Sequence, residues 1–144
     1  MEAEAYPGIV EFLKKAQDWG VMCSIVSHKT KNPIIGPAYD LHAMARKWIA
    51  AHLCHNGAPL IPDERISFLP SKDEKLAHIA QGQFDVFVDD LPEILSAPAF
   101  PSATLALLFD PAQSEKVPNN ARSMADWASI ESHLETLWRI KTGR

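Results

Sequence analysis

Short apolar runs alternate along this chain with segments whose apolar residues recur at helical spacing. That alternation restricts the fold more than any other feature, because strand–helix–strand repeats bury their faces best as a mainly parallel sheet covered by helices on both sides. Residues 21–26 (VMCSIV), 66–69 (ISFL), 85–88 (DVFV) and 104–109 (TLALLF) have the continuous apolar character of strands buried on both faces. Between them lie helical segments with recognisable ends. Pro7 can open the first, where its missing N–H costs nothing; Ile9, Phe12, Leu13 and Ala16 form its apolar face, and Gly20 stops it. Asp40 is an N-cap for a second helix carrying Leu41, Met44, Ala45, Trp48 and Ile49, which is expected to fray near His55-Asn56-Gly57. Ser71 and Glu74 read as a capping box for a third, ending at Gly82. A short turn over residues 92–95 follows. Ser123 caps a final helix with Trp127, Ile130, Leu134, Leu137 and Trp138 on one stripe. The expected order is α-β-α-β-α-β-(α)-β-α, which begins with a helix where such folds usually begin with a strand.

The 144 residues suit one domain with a core that needs no staples. A formal net charge of -4, with no Lys/Arg-rich run, argues against a nucleic acid as main partner. Cys23 and Cys54 form neither a zinc spacing nor a disulfide framework, which fits a reducing, cytoplasmic setting. No apolar run approaches the roughly 20 residues that span a bilayer, so no membrane partner is expected. The opening Met-Glu-Ala-Glu-Ala is acidic and lacks the features of a signal peptide.

Chemistry gathers at the strand ends. Residues 21–26 deliver Ser27 to a strand tip, and residues 85–88 lead into Asp89 and Asp90. Lys75 lies between them in the first turns of a helix. Ligands of open α/β sheets bind beyond the carboxyl ends of the strands. A hydroxyl, an ammonium and two carboxylates at that rim suit a phosphate with a magnesium ion. Each residue has a plainer role to set against this one. Ser27 is a common turn residue, and Lys75 alone reads as a solvated helix position, with Lys72 as its rival. Adjacent aspartates closing an apolar strand are harder to dismiss, because like charges repel unless a cation or dipole offsets them. His52, Cys54 and His55 lack the fourth ligand that tetrahedral zinc takes. Ser27-His28 lacks the glycines of a nucleophile elbow.

SIVS ending at Ser27, SKDEKLAHI with Lys75, and FVDDLPEIL with Asp89 and Asp90 resemble the second, third and fourth motifs of the haloacid dehalogenase superfamily of phosphohydrolases. The resemblance runs from about Pro7 to the end, and FVDDLPEIL is its most specific piece. It implies a three-layer α/β/α, Rossmann-like parallel sheet. Residues 28–39 form a loop too short for a large cap domain. The family's first motif, an apolar strand ending Asp-x-Asp whose first Asp is the nucleophile, has no counterpart. Asp89-Asp90-Leu91 and Asp110-Pro111-Ala112 both lack the second acid. Two explanations stand: a single domain over residues 1–144 that is N-terminally truncated, or a relative that abandoned covalent catalysis. The first is preferred, because a helix opening with Pro-Gly commonly follows the first motif.

By resemblance, Ser27 would hydrogen-bond a phosphoryl oxygen and Lys75 would neutralise its charge. Asp89 or Asp90 would hold magnesium, and Glu93 would orient the metal's waters. His28, Lys29, Tyr39 and Asp40 would touch the leaving group of a small phosphorylated molecule. The expected function is that of a phosphatase domain impaired by loss of its nucleophile; the alternative is a non-catalytic binding or structural module. A response-regulator receiver has similar residues in another order, which rejects it. In the family's sheet the first strand lies between those ending at Ser27 and Asp89. Its absence would leave unpaired strands and favour self-association.

Overall fold

In the computed structural model, which describes residues 7–28 and 41–143, the chain is a mixed α/β protein with small parallel sheets and no barrel. Helix α1 (Ile9–Asp18) buries Phe12, Leu13 and Ala16. It ends as its sequence predicts: Gly20 takes a left-handed φ of 76°, its N–H donates to Gln17 O (3.0 Å), and the Val21 N–H donates to Ala16 O (2.9 Å). This paired closure needs a residue free to adopt positive φ.

Strand β1 (Ile25–His28) starts later than residues 21–26 suggest. The reason lies in its partner. Strand β4 (Ile66–Leu69) runs parallel to β1 with Ile25 opposite Ile66, and the residues before Ile66 form a 3-10 turn, Asp63–Arg65. Among the described residues no strand pairs with residues 21–24. Val21 and Met22 are exposed, and the Arg65 side chain donates to Ser24 Oγ instead (3.1 Å). Between these strands, helix α2 (Leu41–His52) buries Ile49. The expected N-cap Asp40 lies outside the described residues. Past α2 the chain does not fray. Strands β2 (Cys54–His55) and β3 (Ala58–Pro59) make a small antiparallel hairpin. Its turn is Asn56-Gly57, with φ of 51° and 78°, the positive pair that a tight hairpin turn requires.

Helix α3 (Lys72–Gly82) starts where its capping signal places it, the Glu74 N–H donating to Ser71 Oγ at 3.1 Å. Strand β5 (Val86–Asp89), the one-turn helix α4 (Pro92–Leu95) and strand β6 (Leu105–Phe109) also match their sequence signals. Strand β7 (Ala121–Met124) does not: ARSM carries little apolar character, yet it lies parallel to β6 with Leu108 opposite Ser123. Ser123 is therefore a ladder residue and not the expected cap. Helix α5 (Trp127–Thr142) is capped by Asp126, whose Oδ1 accepts the Ser129 N–H at 2.7 Å.

Besides the β2–β3 hairpin, the described residues form two sheets, β1-β4 and β5-β6-β7, each pairing parallel. Apolar clusters cover both faces of both sheets. On one face Ile25, Ile66, Val86, Val88, Leu107 and Phe109 meet Phe12 and Leu13 of α1, Ile49 of α2 and Ile130 of α5. On the other, Val26, Phe87, Ala106 and Leu108 meet Leu76 and Ile79 of α3 and Ile94 and Leu95 of α4. This even–odd division is the period-two alternation of strands. Ile79, Leu95, Leu107, Leu108 and Ile130 are fully enclosed, each worth about 1.5–3 kcal/mol relative to exposure. The tryptophans lie on packing faces: Trp127 meets Phe12 and Phe109 (both 5.4 Å between ring centres), and Trp138 stacks on Trp19 (5.6 Å). Among the described residues no strand pairs with both β1 and β5, and the hydrogen-bond ladder does not cross from one sheet to the other. No helix among them is long and apolar enough to cross a membrane.

Candidate functional site

The rim of the sheets can be located from one side chain. Helix α3 begins directly after the C-terminal end of β4, and Lys75 is its fourth residue. From there the Lys75 Nζ donates to Asp89 Oδ2 at 2.7 Å, and Asp89 is the last residue of β5. The C-terminal ends of β4 and β5 therefore share one edge of the molecule. Pairing brings the ends of β1 and β6 to the same edge.

Lys75 and Asp89 form a buried ion pair, with side-chain exposures of 6% and 5%. The Leu91 N–H donates to the other Asp89 oxygen, Oδ1, at 3.0 Å. The ammonium also lies over the Phe87 ring, 5.8 Å from its centre. Burial pushes the Asp89 carboxyl above the usual carboxylate range; the Lys75 hydrogen bond and charge, and the Leu91 N–H, hold it back, while neighbouring Asp90 adds to the rise. Desolvation thus outweighs attraction, as for many ion pairs taken out of water. The two lysines differ in place: Lys72 is exposed and Lys75 is not. The acids divide likewise, Asp89 buried and Asp90 exposed.

The other expected residues are less closely gathered. Ser27 is the third residue of β1, half-buried and one position short of its end. It alternates with Val26, which belongs to the α3 face, so Ser27 leaves the strand on the opposite face from Lys75. Helix α3 does touch β1, but no hydrogen bond joins Ser27 to Lys75 or Asp89. His28 ends β1. Glu93 is exposed in α4. Lys29, Tyr39 and Asp40 lie outside the described residues.

Asp110, just past the end of β6, was not expected to be buried. Its oxygens accept the backbone N–H groups of Ser114 (3.2 Å) and Glu115 (3.0 Å), which fixes the following loop. The only sequence signal for this was an acid closing an apolar strand, the pattern that also marks Asp89. For magnesium, Asp89 and Asp90 supply oxygen donors of the right kind, but the ammonium sits on Asp89 where a cation would approach. Among the described residues no three His, Cys, Asp or Glu side chains converge. As arranged, these residues do not fit a magnesium ion. An open groove of about 840 Å³ lies elsewhere, between β7 and α5, lined by Arg122, Ser129, Ser132 and His133 among others. It shares none of the rim residues. Burial and the nearby Arg122 charge lower the His133 imidazole below its usual range.

Set against protein-family models, curated proteins and solved structures, the chain matches none.

Proposed function

We propose that the chain is a phosphohydrolase-like domain of the haloacid dehalogenase type, a three-layer Rossmann-like fold whose rim engages a small phosphorylated molecule with little or no turnover. The observation that carries the reading is the Lys75–Asp89 contact. Residues 14 positions apart are brought together at the carboxyl edge of a parallel sheet, which is where ligands of such sheets bind. In covalent phosphoryl transfer a carboxylate attacks phosphorus, and a positioned ammonium offsets the charge that develops on the phosphoryl oxygens. Lys75 suits the second task. The first has no free candidate among the buried acids: Asp89 is bound to Lys75 and Leu91, and Asp110 to two backbone N–H groups. A site without its nucleophile retains only residual electrostatic acceleration. A cytoplasmic setting belongs to this reading, and the free thiols of Cys23 and Cys54 support it.

The test uses the purified chain with p-nitrophenyl phosphate and magnesium, and calorimetry with inorganic phosphate. Hydrolysis at the level of buffer alone, with phosphate binding weakened in Lys75→Met, is the expected result. Magnesium-dependent hydrolysis abolished by Asp89→Asn or Asp90→Asn would refute it. A second reading, a purely structural module, draws on the near-complete burial of the pair. It predicts no phosphate binding at all.

A further inference from the structure

Helix α5 carries two stripes of different character. Trp127, Ile130 and Leu134 pack into the core. Ser129, Ser132, His133 and Thr136 recur at the i, i+3, i+4, i+7 spacing that keeps residues on one side of a helix, and all four line the groove between α5 and β7. Facing them, β7 supplies Arg122. Alternation along the strand puts Arg122 on the same face as Met124, which is buried in the core cluster that α5 packs on, so the guanidinium leaves β7 on the helix side. Gln113 lines the groove from a left-handed backbone position (φ 53°), its N–H donating to Asp110 O at 3.1 Å.

This lining is chemically selective. Among the described residues the Arg122 side chain enters no ion pair and no hydrogen bond, which leaves its planar fork of N–H donors open to a carboxylate or phosphate. Burial and the Arg122 charge favour the neutral imidazole of His133, which offers one donor and one acceptor. The Ser132 hydroxyl and the Gln113 amide also both donate and accept, the set that matches ligand hydroxyls. The Asp126 carboxylate borders the groove as well, its Oδ1 accepting the Ser129 N–H. One guanidinium beside one fixed carboxylate suits a ligand with a single anionic group and repels a polyanion. We infer that this groove binds a small polyhydroxylated molecule bearing one carboxylate or phosphate group, its oxyanion on Arg122 and its hydroxyls on Ser132, His133 and Gln113. The groove volume of about 840 Å³ lies within the range of small-ligand sites. The inference stands whether or not the rim at Lys75 and Asp89 binds phosphate.

The test is an NMR titration of the full chain in chloride buffer with gluconate, sorbitol phosphate and neutral sorbitol. Gluconate or sorbitol phosphate is expected to give saturable shifts at the Arg122 Nε–H, the His133 ring and the backbone amides of Ala121–Met124 and the first turns of α5. The tighter of the two identifies the oxyanion. Sorbitol is expected to bind about tenfold or more weakly, the loss that goes with one charge-assisted contact. Arg122→Gln should weaken the anion by a similar factor, and Ser132→Leu, which fills the groove from an exposed position, should abolish saturation. Both variants keep the wild-type pattern of core amides. No saturable shift at about 10 mM ligand, sorbitol binding as tightly as the anions, or undiminished binding to Arg122→Gln overturns the inference. So do shifts confined to Lys75 and Leu91, which would place the anion at the rim instead.

Discussion

Replacing Lys75 by methionine isolates the most deeply buried ion pair among the described residues. The ammonium and the Asp89 carboxylate lie 2.7 Å apart with side chains 6% and 5% exposed, so water can replace neither partner. Methionine fills much of the lysine volume and leaves Asp89 buried with only the Leu91 N–H. Removing one partner from such a pair costs about 3 kcal/mol, which for a domain of this size lowers Tm by roughly 6–12 °C. Asp89→Asn leaves the opposite defect. Its single amide oxygen can replace only one of the two carboxylate oxygens that now accept from Lys75 and Leu91, and the buried ammonium loses its counter-charge, so that change also costs about 3 kcal/mol. The double variant Lys75→Met/Asp89→Asn holds no buried charge at this position and recovers most of the loss. Urea unfolding at pH 7 measures all three. The pH dependence has a definite sign: without Lys75, the folded-state pKa of Asp89 rises further above its unfolded value. The deficit of Lys75→Met then shrinks as pH falls through that raised pKa, and is full above it. A Lys75→Met protein within about 0.5 kcal/mol of wild type, or one that Asp89→Asn does not rescue, would refute this account of the pair.

Three further outcomes follow from local structure. Ser71→Ala removes the acceptor for the Glu74 N–H at the start of α3 and is expected to cost about 1 kcal/mol in urea unfolding. Gly57→Ala forces a side chain onto a residue at φ 78° in the β2–β3 turn and is expected to cost about 1 kcal/mol, read by thermal melting. Hydrogen bonds from the Ser129 hydroxyl and then its N–H hold the Asp126 carboxyl below its usual range, so the cap's contribution is present above the unfolded pKa and fades as pH falls through the lowered one. Amide exchange in the first turn of α5 should therefore speed up in acid, and Asp126→Asn should remove that dependence.

Much of this fold is legible in the sequence because its signals are local. The Gly20 closure of α1, the Ser71 cap of α3 and the apolar runs of β4, β5 and β6 each depend on a few neighbouring residues and appear where expected. The failures share a different cause. Residues 21–24 look like a strand, but a strand forms only where a partner lies alongside, and the 3-10 turn before Ile66 denies them one. Strand β7 looks like a loop, yet the long free edge of β6 recruits it. The β2–β3 hairpin was signalled by Asn56-Gly57, a pair equally at home after a fraying helix. At the rim, proximity of Lys75 to Asp89 follows from a helix that links two strands ending at one edge. The face to which Ser27 turns depends on strand register, and that is fixed by pairing with β4.

Because no hydrogen-bond ladder joins β1 to β5 among the described residues, the two sheets cohere there through α3, the contact of α1 with α5, and side-chain packing. Dispersion and apolar burial are nearly indifferent to direction. Small sliding motions of one sheet past the other would therefore break no ladder bond among the described residues. The molecule has a built-in slip plane, and the Lys75–Asp89 bond crosses it as a pin.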